Sequence, residues 1–162
     1  MLVSNTSTLV LLAKIKCLET FIEISPVIEI PAQVKQEALF EKDSYYARQI
    51  QKLINGKKIR IANVNKNQIN NIMSQFKLDE GEAATYILFD SNKHDAILTD
   101  DGELIKLCKL EKVPFICSMA VIIRLFEKKK LSKEAAVNKL EDLHVIGRYS
   151  EKIYEHFKSE VK

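Results

Sequence analysis

Residues 96–102 read Ala96-Ile97-Leu98-Thr99-Asp100-Asp101-Gly102: three apolar residues run straight into a hydroxyl and two adjacent carboxylates. The apolar part has the composition of a buried strand, and the polar part marks its end. Four other short runs rich in β-branched residues read the same way: Leu2-Val3-Ser4, Val27-Ile28-Glu29-Ile30, Ile59 to Val64 and Phe115-Ile116-Cys117. Longer segments of helical period separate them. Helices are expected after Ser4 (Leu9, Leu12 and Ala13 on one face), after Pro31 (Val34, Ala38 and Leu39), from Leu78 to Phe89, from Leu104 to Leu110 and from Met119 to Phe126. Pro31 is expected in the first helical turn, which tolerates its missing N–H.

Strands alternating with helices imply right-handed crossovers and a mainly parallel sheet covered on both faces. The expected fold is therefore a three-layer α/β/α domain around a mainly parallel five-stranded sheet. The 162 residues, 46% of them apolar, suit a single domain spanning 1–162. Residues 131–162 read as a helical extension of that domain, with Ser132 as a cap and Gly147 as a stop. Neither a repeat nor a linker interrupts the chain.

Composition narrows the function classes only a little. Lys and Arg total 25 against 22 Asp and Glu, and a formal charge of +3 is too small to identify a nucleic-acid binder. Cys17, Cys108 and Cys117 form no CxxC pair, and their odd number fits buried thiols rather than a disulfide framework. The apolar stretch Leu9 to Ala13 is far shorter than the ~20 residues of a membrane span. No cationic segment precedes it, and the expected location is cytoplasmic, away from any membrane.

In open α/β sheets, ligands bind beyond the carboxyl ends of the strands. Ser4-Asn5-Thr6-Ser7 and Thr99-Asp100-Asp101 both fall on that edge. Adjacent carboxylates repel one another unless a cation or solvent neutralises them, and a hard divalent ion such as Mg²⁺ prefers oxygen ligands. Local readings compete at each position. Asp100 with Glu103, and Asp79 with Glu82, have the spacing of a capping box. Thr6 and Ser7 also suit a helix cap, and Glu37 suits a solvated helix face.

The sequence resembles the PIN domains, in particular the archaeal and bacterial branch related to toxin ribonucleases. The resemblance covers Leu2 to about Lys130. It rests on Val3-Ser4-Asn5-Thr6-Ser7 with Leu9 and Leu12-Ala13-Lys14, on Ile30-Pro31-Ala32-Gln33-Val34 with Glu37, on Leu78-Asp79-Glu80-Gly81-Glu82-Ala83-Ala84, and on Leu98-Thr99-Asp100-Asp101-Gly102. It implies an endoribonuclease that hydrolyses RNA with Mg²⁺ or Mn²⁺, held here by Asn5, Glu37, Glu82, Asp100 and Asp101. The four acids would be catalytic, with Thr6, Ser7 and Thr99 positioning the substrate. Many PIN domains carry Asp where this chain has Asn5, so one anionic ligand is missing. The resemblance further implies a toxin matched by a small antitoxin protein, and a homodimer. Two rivals remain: a PIN-like RNA- or protein-binding module with a weak or inactive site, and a receiver-like signalling domain. The second would need a phosphoacceptor Asp on a middle strand.

Overall fold

The computed structural model describes residues 1–162. Five strands, β1 (Leu2–Ser4), β2 (Ile28–Pro31), β3 (Ile59–Ala62), β4 (Ala96–Leu98) and β5 (Phe115–Ile116), form one sheet in the order β3-β2-β1-β4-β5. Every pairing is parallel, so the sheet is wholly rather than mainly parallel. The order reverses direction at β1, which pairs β2 on one side and β4 on the other. That switch point leaves a crevice beyond the ends of β1 and β4, where the loops to their helices diverge.

Ten helices cover the sheet: α1 (Thr6–Lys14), α2 (Leu18–Ile24), α3 (Ala32–Ala38), α4 (Tyr45–Asn55), α5 (Lys66–Gln75), α6 (Glu80–Leu88), α7 (Gly102–Leu110), α8 (Ser118–Glu127), α9 (Lys133–Ile146) and α10 (Glu151–Ser159). Successive strand residues point to opposite faces. Leu2, Ala96 and Leu98 accordingly enter the larger core with α1 to α4 and α8 to α10, while Val3 and Ile97 join Ile69, Ala83, Ala84, Leu104 and Leu107 from α5 to α7. Each fully buried Leu or Ile contributes roughly 1.5–3 kcal/mol relative to exposure, so both faces of the sheet are firmly held. Helices α9 and α10 add Ala136, Leu140, Leu143 and Tyr154 to the larger core. None of the helices is long and apolar enough to cross a membrane.

Pro31 departs from the expected position. It ends β2, paired with Ala62, and serves as N-cap of α3 rather than lying inside the helix. Its fixed φ suits both roles, at −70° here. Four helices close in one manner. After α1, α4, α7 and α8 comes a residue in the left-handed region, Lys16, Lys57, Lys112 or Lys129, with φ of 58–61°. At each, the N–H of the following residue reaches back five positions, as in Cys17 N to Leu12 O at 2.9 Å and Lys58 N to Leu53 O at 2.9 Å. These are Schellman closures, for which glycine is the usual residue.

Candidate active site

The crevice beyond β1 and β4 is a cleft of about 490 Å³ lined by residues from β1–α1, α3, α6, β4–α7 and the α9–α10 loop. Asn5, Thr6, Ser7, Glu37, Glu82, Asp100 and Asp101 all line it; Thr99 does not. Thr99 is fully buried, and its hydroxyl accepts the Asp101 N–H at 3.1 Å and the Asn5 amide at 3.4 Å. It orients two cleft residues without facing the cleft itself.

Asn5 occupies the N-cap position of α1 without capping it, since its side chain accepts no helix N–H. Its Oδ1 is buried and has no hydrogen-bond partner. An unpaired buried amide oxygen is costly, on the order of 1–3 kcal/mol, and of the side chains with such an orphaned atom, Asn5, Ser25, Gln33 and Gln49, only Asn5 lines the cleft. Thr6 and Ser7 do not cap either. The Thr6 hydroxyl donates to Glu37 Oε2 at 3.2 Å, and the Ser7 hydroxyl accepts the Asp100 N–H at 3.0 Å. Both tie together segments distant in sequence.

Glu37 is set in the last turn of α3, packed against the start of α6. A methyl carbon at position 81 would overlap Glu37 Oε1 and stand 2.9 Å from its Cδ. Gly81 is thus the residue that lets this carboxylate approach the helix. Burial and the neighbouring charges of Asp79 and Glu80 push the Glu37 carboxyl up, against the bond from Thr6. Glu82 satisfies both readings of its motif. It completes a capping box with Asp79, Asp79 N to Glu82 Oε2 being 3.0 Å and Glu82 N to Asp79 Oδ1 2.8 Å, and it also faces the cleft. Burial pushes its carboxyl up to about 8, opposed by the Asp79 N–H and reinforced by the adjoining Asp101 carboxyl. Two carboxyl groups in hydrogen-bonding reach repel when both are charged, a cost that a nearby cation would relieve.

The two aspartates divide the work. Asp101, not Asp100, caps α7, its Oδ1 accepting Glu103 N at 3.1 Å and Leu104 N at 3.3 Å. Asp100 turns to the start of α8 and accepts the Ser118 N–H at 3.0 and 3.1 Å, the Ser118 and Tyr149 hydroxyls, and the Thr8 hydroxyl at 2.7 Å. The Asp100–Glu103 capping box is therefore absent. Burial and the Asp100 charge raise the Tyr149 phenol, which keeps it a donor. No three His, Cys, Asp or Glu side chains stand in an arrangement able to hold a metal ion. The donors fit a hard cation in kind: the orphaned Asn5 oxygen and the Glu37, Glu82 and Asp101 carboxylates are all oxygen ligands on one cleft.

A family model described as a PIN domain matches residues 1–162. The chain belongs to the PIN-domain family. No curated protein and no solved structure matches it. PIN domains are generally nucleases and typically use divalent metals. Several cleft residues of this PIN domain escape sequence reasoning. Arg148, the one cation among the residues lining the cleft, comes from the α9–α10 loop, as does Gly147, while Ile146 ends α9. Lys106 and Arg124 do not line the cleft; they pair with Glu103 at 3.3 Å and Glu127 at 3.5 Å. Tyr149 and Ser118 become visible as site residues only through their bonds to Asp100.

Proposed function

We propose that this PIN domain is a divalent-metal-dependent endoribonuclease that hydrolyses RNA phosphodiester bonds with Mg²⁺ or Mn²⁺. The observation that carries the reading is the unpartnered Asn5 Oδ1 beside the raised carboxyls of Glu37 and Glu82 in one cleft. Asn5, Glu37, Glu82 and Asp101 are the residues to hold the cation. When bound, it supplies a Lewis acid beside the scissile phosphate and a more acidic water. Burial and the adjoining Asp101 carboxyl raise the Glu82 carboxyl to about 8, and a cation held here would favour its charged form. Thr99 and Ser7 fix Asn5, Asp101 and the Asp100 backbone, and Arg148 offsets the repulsion between acids and a phosphate strand. A toxin role with a small antitoxin partner, a homodimeric state and a cytoplasmic location remain parts of the same proposal, supported by the family resemblance alone.

Incubating a mixed RNA pool with the protein and Mg²⁺ or Mn²⁺, with EDTA as control, tests this. Cleavage should require metal and disappear in Asp101→Asn, since Asn caps a helix as well as Asp but removes the charge. Persistent cleavage in EDTA or in the variant would sink it. A second reading, a PIN-like binding module without catalysis, is favoured by one observation: every Asp100 oxygen is engaged by protein donors, and Asn5 brings no charge. RNA binding with no cleavage under any metal would support that alternative.

A further inference from the structure

We propose that a single-stranded RNA reaches the acidic cleft along a second groove, which holds its phosphates on Lys14 and Lys16 and stacks a base on Tyr45, with Phe40 of the cleft offering the next stacking face. The inference rests on the nuclease reading for the identity of the cleft, but it concerns a different surface. A groove of about 530 Å³ lies between the C-terminal end of α1, the start of α4 and the end of α9. Tyr46 and Ile146 line both this groove and the cleft, so the two are continuous.

Their charges are opposite. The cleft carries Glu37, Glu41, Glu82, Asp79, Asp100 and Asp101 against Arg148, whereas the groove carries Lys14, Lys16 and Lys139 against Asp142. Neither Lys14 nor Lys16 makes an ion pair. Lys14 Nζ lies 5.0 Å from the Tyr46 ring centre, and Lys16 is held outward by a left-handed backbone, φ 61°. Lys139 is occupied, donating to Ile15 O at 2.7 Å. One ammonium over an aromatic ring and a second, exposed lysine without an ion pair share this groove, an arrangement that suits unpaired strands, since phosphates meet cations while bases stack.

The aromatic surface is available. Phe40 is 84% exposed at the cleft mouth and Tyr45 is 54% exposed, its hydroxyl anchored to Lys14 O at 2.5 Å. That anchor fixes the ring next to the lysine and leaves a face open. Tyr45 and Tyr46 meet edge to face at 5.9 Å, their planes nearly perpendicular. A duplex keeps its bases stacked inside and offers no face to these rings, which makes the groove selective for single strands.

Fluorescence anisotropy with a labelled single-stranded RNA oligonucleotide in EDTA measures the groove apart from catalysis. Lys14→Gln with Lys16→Gln should reduce the slope of log K against log salt by about 1.4, two phosphate contacts at about 0.7 each. Phe40→Ala, at a side chain that packs on almost nothing, should weaken binding roughly tenfold. A duplex of the same sequence should bind more weakly than the single strand. Unchanged affinity and slope in the lysine variant overturn the proposal, as does a duplex bound equally well. So does a Phe40 variant that alters oligomeric state while leaving RNA affinity intact, because the surface then serves a protein partner. Metal-dependent cleavage with unaltered strand binding in the variants would reject the groove and spare the nuclease. Lysine-dependent binding without any cleavage would do the reverse.

Discussion

Gly81→Ala separates what the fold needs from what the cleft needs. The added carbon would overlap Glu37 Oε1 and stand 2.9 Å from Cδ, closer than ordinary contact. The obstacle is the far end of a flexible side chain, so Glu37 rotates away and the backbone stays. Two stability terms then nearly cancel. Alanine in place of glycine in α6 gains up to about 1 kcal/mol of helix propensity. Loss of the 3.2 Å Thr6–Glu37 bond removes about 1 kcal/mol. The melting temperature should therefore move by no more than about 4 °C, since 1 kcal/mol shifts a chain of this size by about 2–4 °C. Mn²⁺ affinity, followed by calorimetry, should fall about tenfold, or about 1.4 kcal/mol, as one anionic ligand leaves. Destabilisation by about 3 kcal/mol would show that Glu37 cannot yield. An unchanged Mn²⁺ isotherm would show that Glu37 is not a ligand.

Three further outcomes follow from the site. Mg²⁺ at 100 times its Kd should stabilise the native chain by about 2.7 kcal/mol, and Asn5→Asp should enlarge the thermal shift at fixed Mg²⁺; an equal shift would remove Asn5 from the site. Asp100→Asn should cost about 3 kcal/mol in urea unfolding, because the new amide meets the Ser118, Thr8 and Tyr149 donors, whereas Asp101→Asn should cost under about 0.5; equal midpoints would refute the division between the two aspartates. Glu82 rises from an ordinary 4.5 to about 8 on folding, so its contribution to stability is complete below pH 4.5 and is lost as pH climbs through 8. In EDTA, Glu82→Gln should therefore gain on the native chain between pH 5 and 8, and a pH-independent difference in melting temperature would contradict this.

The strands and the two polar strand ends were legible because buried parallel strands read as unbroken apolar runs and their ends do not. The capping reading of Glu82 and its cleft reading looked like alternatives in the sequence; in space one carboxyl group does both. Asp100 and Asp101 are adjacent and chemically identical in the sequence. Their different fates depend on Ser118 and Tyr149, which lie 18 and 49 residues away and carry no local signal. Arg148 was hidden for the same reason: a loop residue's distance from the cleft is set by how α9 packs on α8, which no periodicity records. The uncapped state of Asn5 was equally invisible, since Asn at a helix start reads as a cap.

The lysines that end four helices hold stability in reserve. A side chain in the left-handed region costs about 1 kcal/mol that glycine does not incur. Exchanging Lys57, Lys112 and Lys129 for glycine, none of which lines the cleft, offers an engineer a more heat-resistant PIN-domain scaffold with the cleft untouched. Lys16 is the exception. The same exchange there would relax the backbone and strip a cation from the proposed strand-binding groove, so at that one turn robustness and the groove's charge compete for a single residue.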